Sequence, residues 1–248
     1  TVVQPYVRTA GISMTPTSKT LLPERRVEIH ASAPARISMM GSRAWLIEAP
    51  GAFDLPAQRR IWSMAQNLQQ WPAVESLIPG VTNLLVLLHD TPEEPTAVER
   101  RLHEYWLSAQ ALNLEGRQID IPVCYGGEHA TDLEAVCRHT GFSAREVIRR
   151  HSQGVYTVVA LGSAPGFGYL HGLDPRLATP RKKVPSLNML KGTVTIGGPQ
   201  AGVSVLTGPN GWNAIGYAEI EVFNPHAAIP ALMAPGDIIR FLPERVEL

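Results

Sequence analysis

A chain of 248 residues, 44% hydrophobic and 18% charged, is too apolar and too sparsely charged to stay disordered, and it can hold one large domain or two small ones. Its 22 Lys and Arg balance 22 Asp and Glu, which excludes a global basic field for nucleic acid or an anionic membrane. Two cysteines, Cys124 and Cys137, exclude a disulfide scaffold and point to a reducing, cytoplasmic compartment. The apolar runs, such as Leu84 to Leu88, fall far short of the ~20 residues that span a bilayer, and the first residues lack a cleavable apolar stretch.

Residues 1–34 mix Pro, Thr, Ser and charges without a sustained period and read as an extended leader. From Ala35 the pattern is regular. ARISMM and RAWLIEA, joined by Gly41-Ser42, read as a bent strand or a tight hairpin. Asp54 caps the helix that follows, Pro56 sits in its first turn, and Ile61, Met64, Ala65 and Leu68 form its apolar stripe. VESLIPG and VTNLLVLLHD follow, the second suited to a buried strand. Thr96 and Glu99 make a capping box for a helix with Val98, Leu102, Tyr105, Trp106, Ala109 and Leu112 on one side. QIDIPV then returns as a strand. Strand, helix, two strands, helix and strand is the ferredoxin-like signature, expected over residues 35–117.

Residues 118–248 are expected to form the second domain. Capping boxes Thr131/Glu134 and Ser143/Glu146 open two short helices, with Gly141 ending the first and Cys137 on its apolar face. Beyond His151, VYTVVAL, TVTI, VSVL, EIEVF and IIRFL alternate with connections rich in Gly and Pro, which reads as a β-barrel.

The chain has no GxxxxGK[ST], GxGxxG in its required setting, HExxH, paired CxxC or GxSxG. Cys124, His129, Cys137 and His139 match none of the usual structural zinc spacings, so no metal site is expected. The most informative stretch is LGSAPGFGYLHGLDPRLATPR, Leu161 to Arg181. Its glycines let backbone N–H groups approach a ligand and form an oxyanion nest; Phe167 and Tyr169 can wall a pocket, and Arg176 and Arg181 can pair with an anion. The plainer alternative is a long loop held by glycine turns with surface arginines. His151 ends the Ser143/Glu146 helix and leans to its apolar side. It reads either as a helix-end histidine bonded to a carbonyl or as a general acid/base at the barrel mouth.

VCYGGEHATDLEAV, VIRRHS, LGSAPGFGYLHGLDPRLATPR, GGPQAGV, PNGWNAIG and PGDIIRF fall in the order seen in the B-type subunit of 5-oxoprolinase. The chain resembles this family, also called KipI or allophanate hydrolase subunit 1, from about Ala35 to the C-terminus. The resemblance implies an α+β protein, a ferredoxin-like domain followed by a cyclophilin-like barrel. It implies a component of an ATP-dependent amidohydrolase that opens 5-oxoproline to L-glutamate. Its implied partners are a C-type subunit homologue, itself a second barrel, and an A-type subunit homologue. No cofactor is expected on this chain alone, and ATP is expected at the level of the complex.

In that reading His151 moves a proton, and Gly162, Pro165, Gly166, Phe167, Tyr169, Arg176, Arg181, Gln200 and Trp212 hold a lactam or amide, with Gly162–Gly168 amides facing the oxyanion. The rival reading is a KipI-like protein that inhibits a sensor histidine kinase or grips another partner without turnover. Several positions depart from the family's usual pattern. Ser163 stands for a Phe, Gly168 for a Pro, Ser186 for an Arg, and Tyr217-Ala218 for Arg-Thr. An arginine's bidentate pairing is not replaced by a neighbouring lysine, so the substrate is open between the two readings.

Overall fold

The computed structural model describes residues 33–248 as an α+β protein with two hydrophobic cores. The leader expected over residues 1–34 lies, but for its last two residues, outside the described ones. The first layer is an antiparallel sheet of β1 (Arg36–Met39), β2 (Ala44–Glu48), β3 (Val74–Pro79) and β4 (Asn83–Leu88), in the spatial order β1-β2-β4-β3. Helices α1 (Leu55–Leu68) and α2 (Pro95–Ser108) pack on it. Alternation places Trp45, Ile47, Leu84, Val86 and Leu88 on the buried face, opposite the α1 stripe Ile61, Met64, Ala65 and Leu68.

Here the chain departs from the ferredoxin-like element order. The strand beside β2 comes from the hairpin before it, β1, and not from QIDIPV after α2. That segment forms β5 (Gln118–Gly126), which pairs along its length with β13 (Ile238–Glu247), the last strand of the chain. Its partner lies some 120 positions downstream, which no local pattern discloses.

The second layer is a closed barrel in the order β10-β7-β6-β13-β5-β12-β9. It is built from β5, β6 (Tyr156–Leu161), β7 (Gly168–His171), β9 (Thr193–Gly197), β10 (Gln200–Val203), β12 (Asn213–Tyr217) and β13. Closure removes the open edges that would otherwise template aggregation. Helices α3 (Leu133–Thr140) and α4 (Ala144–Gln153) pack on its outside, and β8 (Ser186–Met189) pairs with β11 (Gly208–Asn210) as a separate two-stranded sheet. EIEVF, expected as a strand, makes only the bridge Phe223↔Ala231. Its Ile220 and Val222 still pack inward, so the alternation reported burial without a ladder.

Two ties join the layers. Trp62 Nε1 on α1 donates to the Val159 carbonyl on β6 at 3.2 Å, and the Phe53 ring, just ahead of α1, lies 4.7 Å from the His171 ring on β7. Within the barrel layer the Asp237 carboxylate, 3% exposed, accepts from the Arg117 backbone N–H and guanidinium at 2.9 and 2.6 Å, which pins the start of β5 to that of β13.

Helix starts test the capping expectations residue by residue. Asp54 accepts from the Ala57 N–H and Ser143 from the Glu146 N–H, as expected. Thr96 does not cap α2, because Pro95 already occupies the first turn and the cap position falls on Glu94. Thr131 does not cap α3, whose cap position is Asp132. The Asp132 carboxylate is itself drawn away by Lys182 Nζ at 2.7 Å and the Ala214 N–H at 2.9 Å. Gly141 does end α3, in the left-handed conformation.

Candidate functional site

Gly162, Pro165 and Gly166 lie in a tight loop of their own, and the other sequence-predicted residues separate into three places. Phe167, Tyr169, Arg181 and Trp212 come together with Gln200 beside them; Arg176 stands apart; His151 is enclosed.

The ring cluster rests on the barrel strands β9 and β10. Phe167 lies edge-on to Trp212 at 5.4 Å between centroids and to Tyr169 at 5.1 Å, and Tyr169 is 6.2 Å from Trp212. Such edge-to-face packing suits the ring quadrupoles. Two glycines make room for it. A Cβ at Gly197 would sit 2.2 Å from the Trp212 ring, and one at Gly202 would sit 2.8 Å from Phe167. Gln200 is half-buried on β10, paired in register with Gly197. The Arg181 guanidinium stands 5.4 Å from the Trp212 ring centroid, within the range of a cation–π contact. Arg181 itself is exposed, whereas Phe167 and Trp212 are 7% and 6% exposed, so a solvent-facing cation lies over rings that belong largely to the barrel core.

Residues that sequence reasoning misses fix this geometry. Lys182 Nζ lies 2.7 Å from the Asp132 carboxylate and 2.6 Å from Ser186 Oγ, and the Lys182 N–H donates to the Gly211 carbonyl at 2.7 Å. Asn213, 3% exposed, donates through Nδ2 to the carbonyls of Pro180 and Ile196 at 3.0 Å each. These bonds tie the Pro180–Lys182 strap to both Trp212's turn and β9, and so hold Arg181 over the ring. The only local signals for them are the polar run beside Trp212 and the lysine next to Arg181.

The loop Gly162–Gly168 does not form the open nest expected from its glycines. The Gly162 N–H donates to the Phe167 carbonyl, Ala164 to Gly162, and Phe167 to Ala164. Pro165 has no N–H, and Gly168 has entered β7 opposite Leu161. Only Ser163 and Gly166 are left without a backbone partner among the described residues. Both adopt positive φ, +68° and +77°, and Gly166 is closed over by Phe223, 3.0 Å from a Cβ placed there. The loop is a rigid support for Phe167 rather than a cradle of free donors.

Arg176 pairs bidentately with Asp174, at 3.0 and 2.9 Å, in a 3₁₀ turn spanning Pro175–Leu177. Asp174 also accepts from Arg150 at 2.7 Å, and the Glu146 carboxylate bridges Arg149 and Arg150. Bonds from Arg176 and Arg150 hold the Asp174 carboxyl far below the usual range, and bonds from Arg149 lower that of Glu146 to about 2. Arg176 is therefore engaged in a latch between α4 and the loop and is not brought to the rings.

His151 is 0% exposed and belongs to a different packing group, beside Tyr125, Tyr156 and Phe241. Its Nδ1 is 2.7 Å from the Tyr125 hydroxyl, its backbone carbonyl accepts from Tyr156 OH at 2.7 Å, and Nε2 has no partner among the described residues. Burial lowers its pKa to about 3 and raises that of Tyr125. It is a neutral core imidazole, not a group at the barrel mouth. The half-apolar α4 sequence fits either role, because it cannot distinguish a helix end facing solvent from one facing the core.

An α+β architecture with a closed barrel, one face of it carrying a glycine-floored ring cluster, defines the class. The sequence profile for "Carboxyltransferase domain, subdomain C and D" matches residues 35–233, and the chain belongs to that family. It is 40% identical over 211 residues to the B-type subunit of 5-oxoprolinase from Escherichia coli O157:H7, covering 85% of this chain and 97% of that one. Among solved structures it is similar to TTHA0988, with a TM-score of 0.69 and 30% identity over 82% of this chain, which spans only 40% of that protein. The urea amidolyase of Kluyveromyces lactis shares the fold at a TM-score of 0.73 and 18% identity, over 88% of this chain and 15% of the amidolyase.

Proposed function

We propose that this chain is the B-type component of an ATP-dependent amidohydrolase complex of the 5-oxoprolinase kind. In this reading it offers the ring cluster to a small lactam or amide and works with a second barrel, the C-type homologue, and with an A-type homologue. The observation that carries the proposal is the Phe167–Tyr169–Trp212 cluster under Arg181: an apolar floor for a pyrrolidone ring and a cation for its carboxylate, with Gln200 alongside. A sequence relative named as a 5-oxoprolinase component supports the substrate class.

Lactam opening needs an oxyanion stabiliser and a proton for the leaving nitrogen. At the rings this chain offers little of either: His151 is enclosed, and most of the loop amides are bonded internally. The partner subunits therefore provide the proton transfer and the nucleotide chemistry, and the isolated chain is inactive. The same two facts favour, as a second reading, a KipI-like barrel that binds a partner without turnover. A barrel of the cyclophilin-like kind suits both readings.

The test is ATP-dependent conversion of 5-oxoproline to glutamate by the chain alone and with its co-expressed A-type and C-type homologues. Activity only in the reconstituted complex supports the proposal. A stable complex with no turnover on 5-oxoproline supports the binding-protein reading.

A further inference from the structure

Residues 175–218 contain five basic residues, Arg176, Arg181, Lys182, Lys183 and Lys191, and no acidic one. Arg176 and Lys182 are neutralised by Asp174 and Asp132, while Arg181, Lys183 and Lys191 form no ion pair among the described residues. Within the same stretch stands the two-stranded sheet β8–β11, outside the barrel. Its flanks expose Val184 at 80%, Leu187 at 74%, Leu206 at 61% and Leu190 at 41%. Single exposed apolar residues are ordinary, but four large ones around one small sheet, fringed by unpaired cations, form an interaction patch. The other exposed large hydrophobic residues lie elsewhere in the chain.

We infer that the β8–β11 sheet is the surface that docks the second barrel subunit, which presents an apolar patch with an acidic rim. Three observations favour that occupant. An apolar centre with a charged rim is the usual anatomy of a protein interface. The unpaired cations call for acidic side chains opposite them. The patch is also continuous with the ring cluster: Ser186 of β8 holds Lys182, and Asn210 of β11 accepts from the Trp212 N–H at 2.8 Å. A second barrel seated there would therefore close over the rings and bring its own groups to a substrate on them. In TTHA0988 this fold occupies 40% of a longer chain, so a 30%-identical relative carries it joined to a larger remainder. The inference rests on the multi-subunit reading above.

The experiment measures affinity, not turnover, so that the two can fail separately. The full chain and its C-type homologue are purified and titrated against each other by calorimetry. The chain is used as wild type, as Val184→Glu with Leu187→Glu, and as Lys183→Glu with Lys191→Glu. All four positions are exposed, so the variants should keep the wild-type melting profile, which is checked first. The expected result is wild-type binding that weakens at least about tenfold in the apolar pair, and weakens with a reduced salt dependence in the charge pair. Wild-type binding that both variants retain would overturn the docking surface while leaving the multi-subunit reading intact. No wild-type binding would overturn both. If the wild type binds phosphatidylserine-containing vesicles but not the C-type homologue, and the apolar pair abolishes this, the patch is a membrane surface and the inference fails.

Discussion

Two aromatic groups in the barrel layer invite comparison. One surrounds His151 with Tyr125, Tyr156 and Phe241; the other gathers Phe167, Tyr169 and Trp212 beneath Arg181. Both combine rings with a basic side chain, and both are candidate chemistry in the sequence. They differ in what the polar atom does. His151 is fully buried, bonded to a tyrosine and held neutral, whereas Arg181 is exposed with its guanidinium over the Trp212 ring. The rings of both groups belong to the barrel core, so it is the burial of the basic group, not residue type, that separates them, and that burial depends on partners distant in the chain.

Substitutions tell the two groups apart. The largest effect is expected for Trp212→Ala, because the indole is 6% exposed and fills the gap over Gly197. Loss of a large packed ring typically costs about 3–5 kcal/mol of stability, and under the proposed function it also removes the floor for the substrate ring. Urea unfolding together with 5-oxoproline binding to the complex should show both losses. A loss of stability without a loss of binding would assign the ring to the core alone.

His151→Leu comes next. Removing one partner leaves the Tyr125 hydroxyl unsatisfied, a cost of about 1–3 kcal/mol, while turnover of the reconstituted complex stays at the wild-type level. A drop in turnover without loss of fold would restore His151 to catalysis. The same residue has a pH signature. Its folded pKa, about 3, lies below the unfolded value near 6.5, so its contribution to stability is complete above pH 6.5 and is lost as pH falls toward 3. Glu146 and Asp174 are also depressed and add their own loss, but only below about pH 4.5. Between pH 6.5 and 4.5 the melting temperature of the wild type should therefore fall, and that of His151→Leu should fall less. Equal slopes in that window would show that the imidazole titrates normally. The smallest effect is expected for Arg176→Ala, whose solvent-screened ion pair with Asp174 adds little to stability: the melting temperature should barely move, with no change in substrate affinity.

Much of the first layer is legible in the sequence because its signals are local. The α1 stripe and the Asp54 cap depend on neighbours within a turn, and the structure uses both. QIDIPV reads correctly as a strand, but its partner β13 lies at the far end of the chain, so its sheet cannot be read. The Thr131/Glu134 box fails because Asp132, one residue on, takes the cap position and gives its carboxylate to Lys182, 50 positions away. The rings at the candidate site announce themselves through glycine-rich loops, yet the strap that aims Arg181 depends on Asn213 and Lys182 contacts that close only in three dimensions.

Under the proposed function the Arg181 guanidinium beside Trp212 binds the substrate's carboxylate, and His151 does not act on it. The most direct measurement is the KM for 5-oxoproline of the reconstituted complex carrying Arg181→Ala. Arg181 is exposed, so its loss leaves the fold intact. KM is expected to rise at least about tenfold with kcat changed far less, as for a lost binding contact. A KM equal to that of the wild type would contradict this reading.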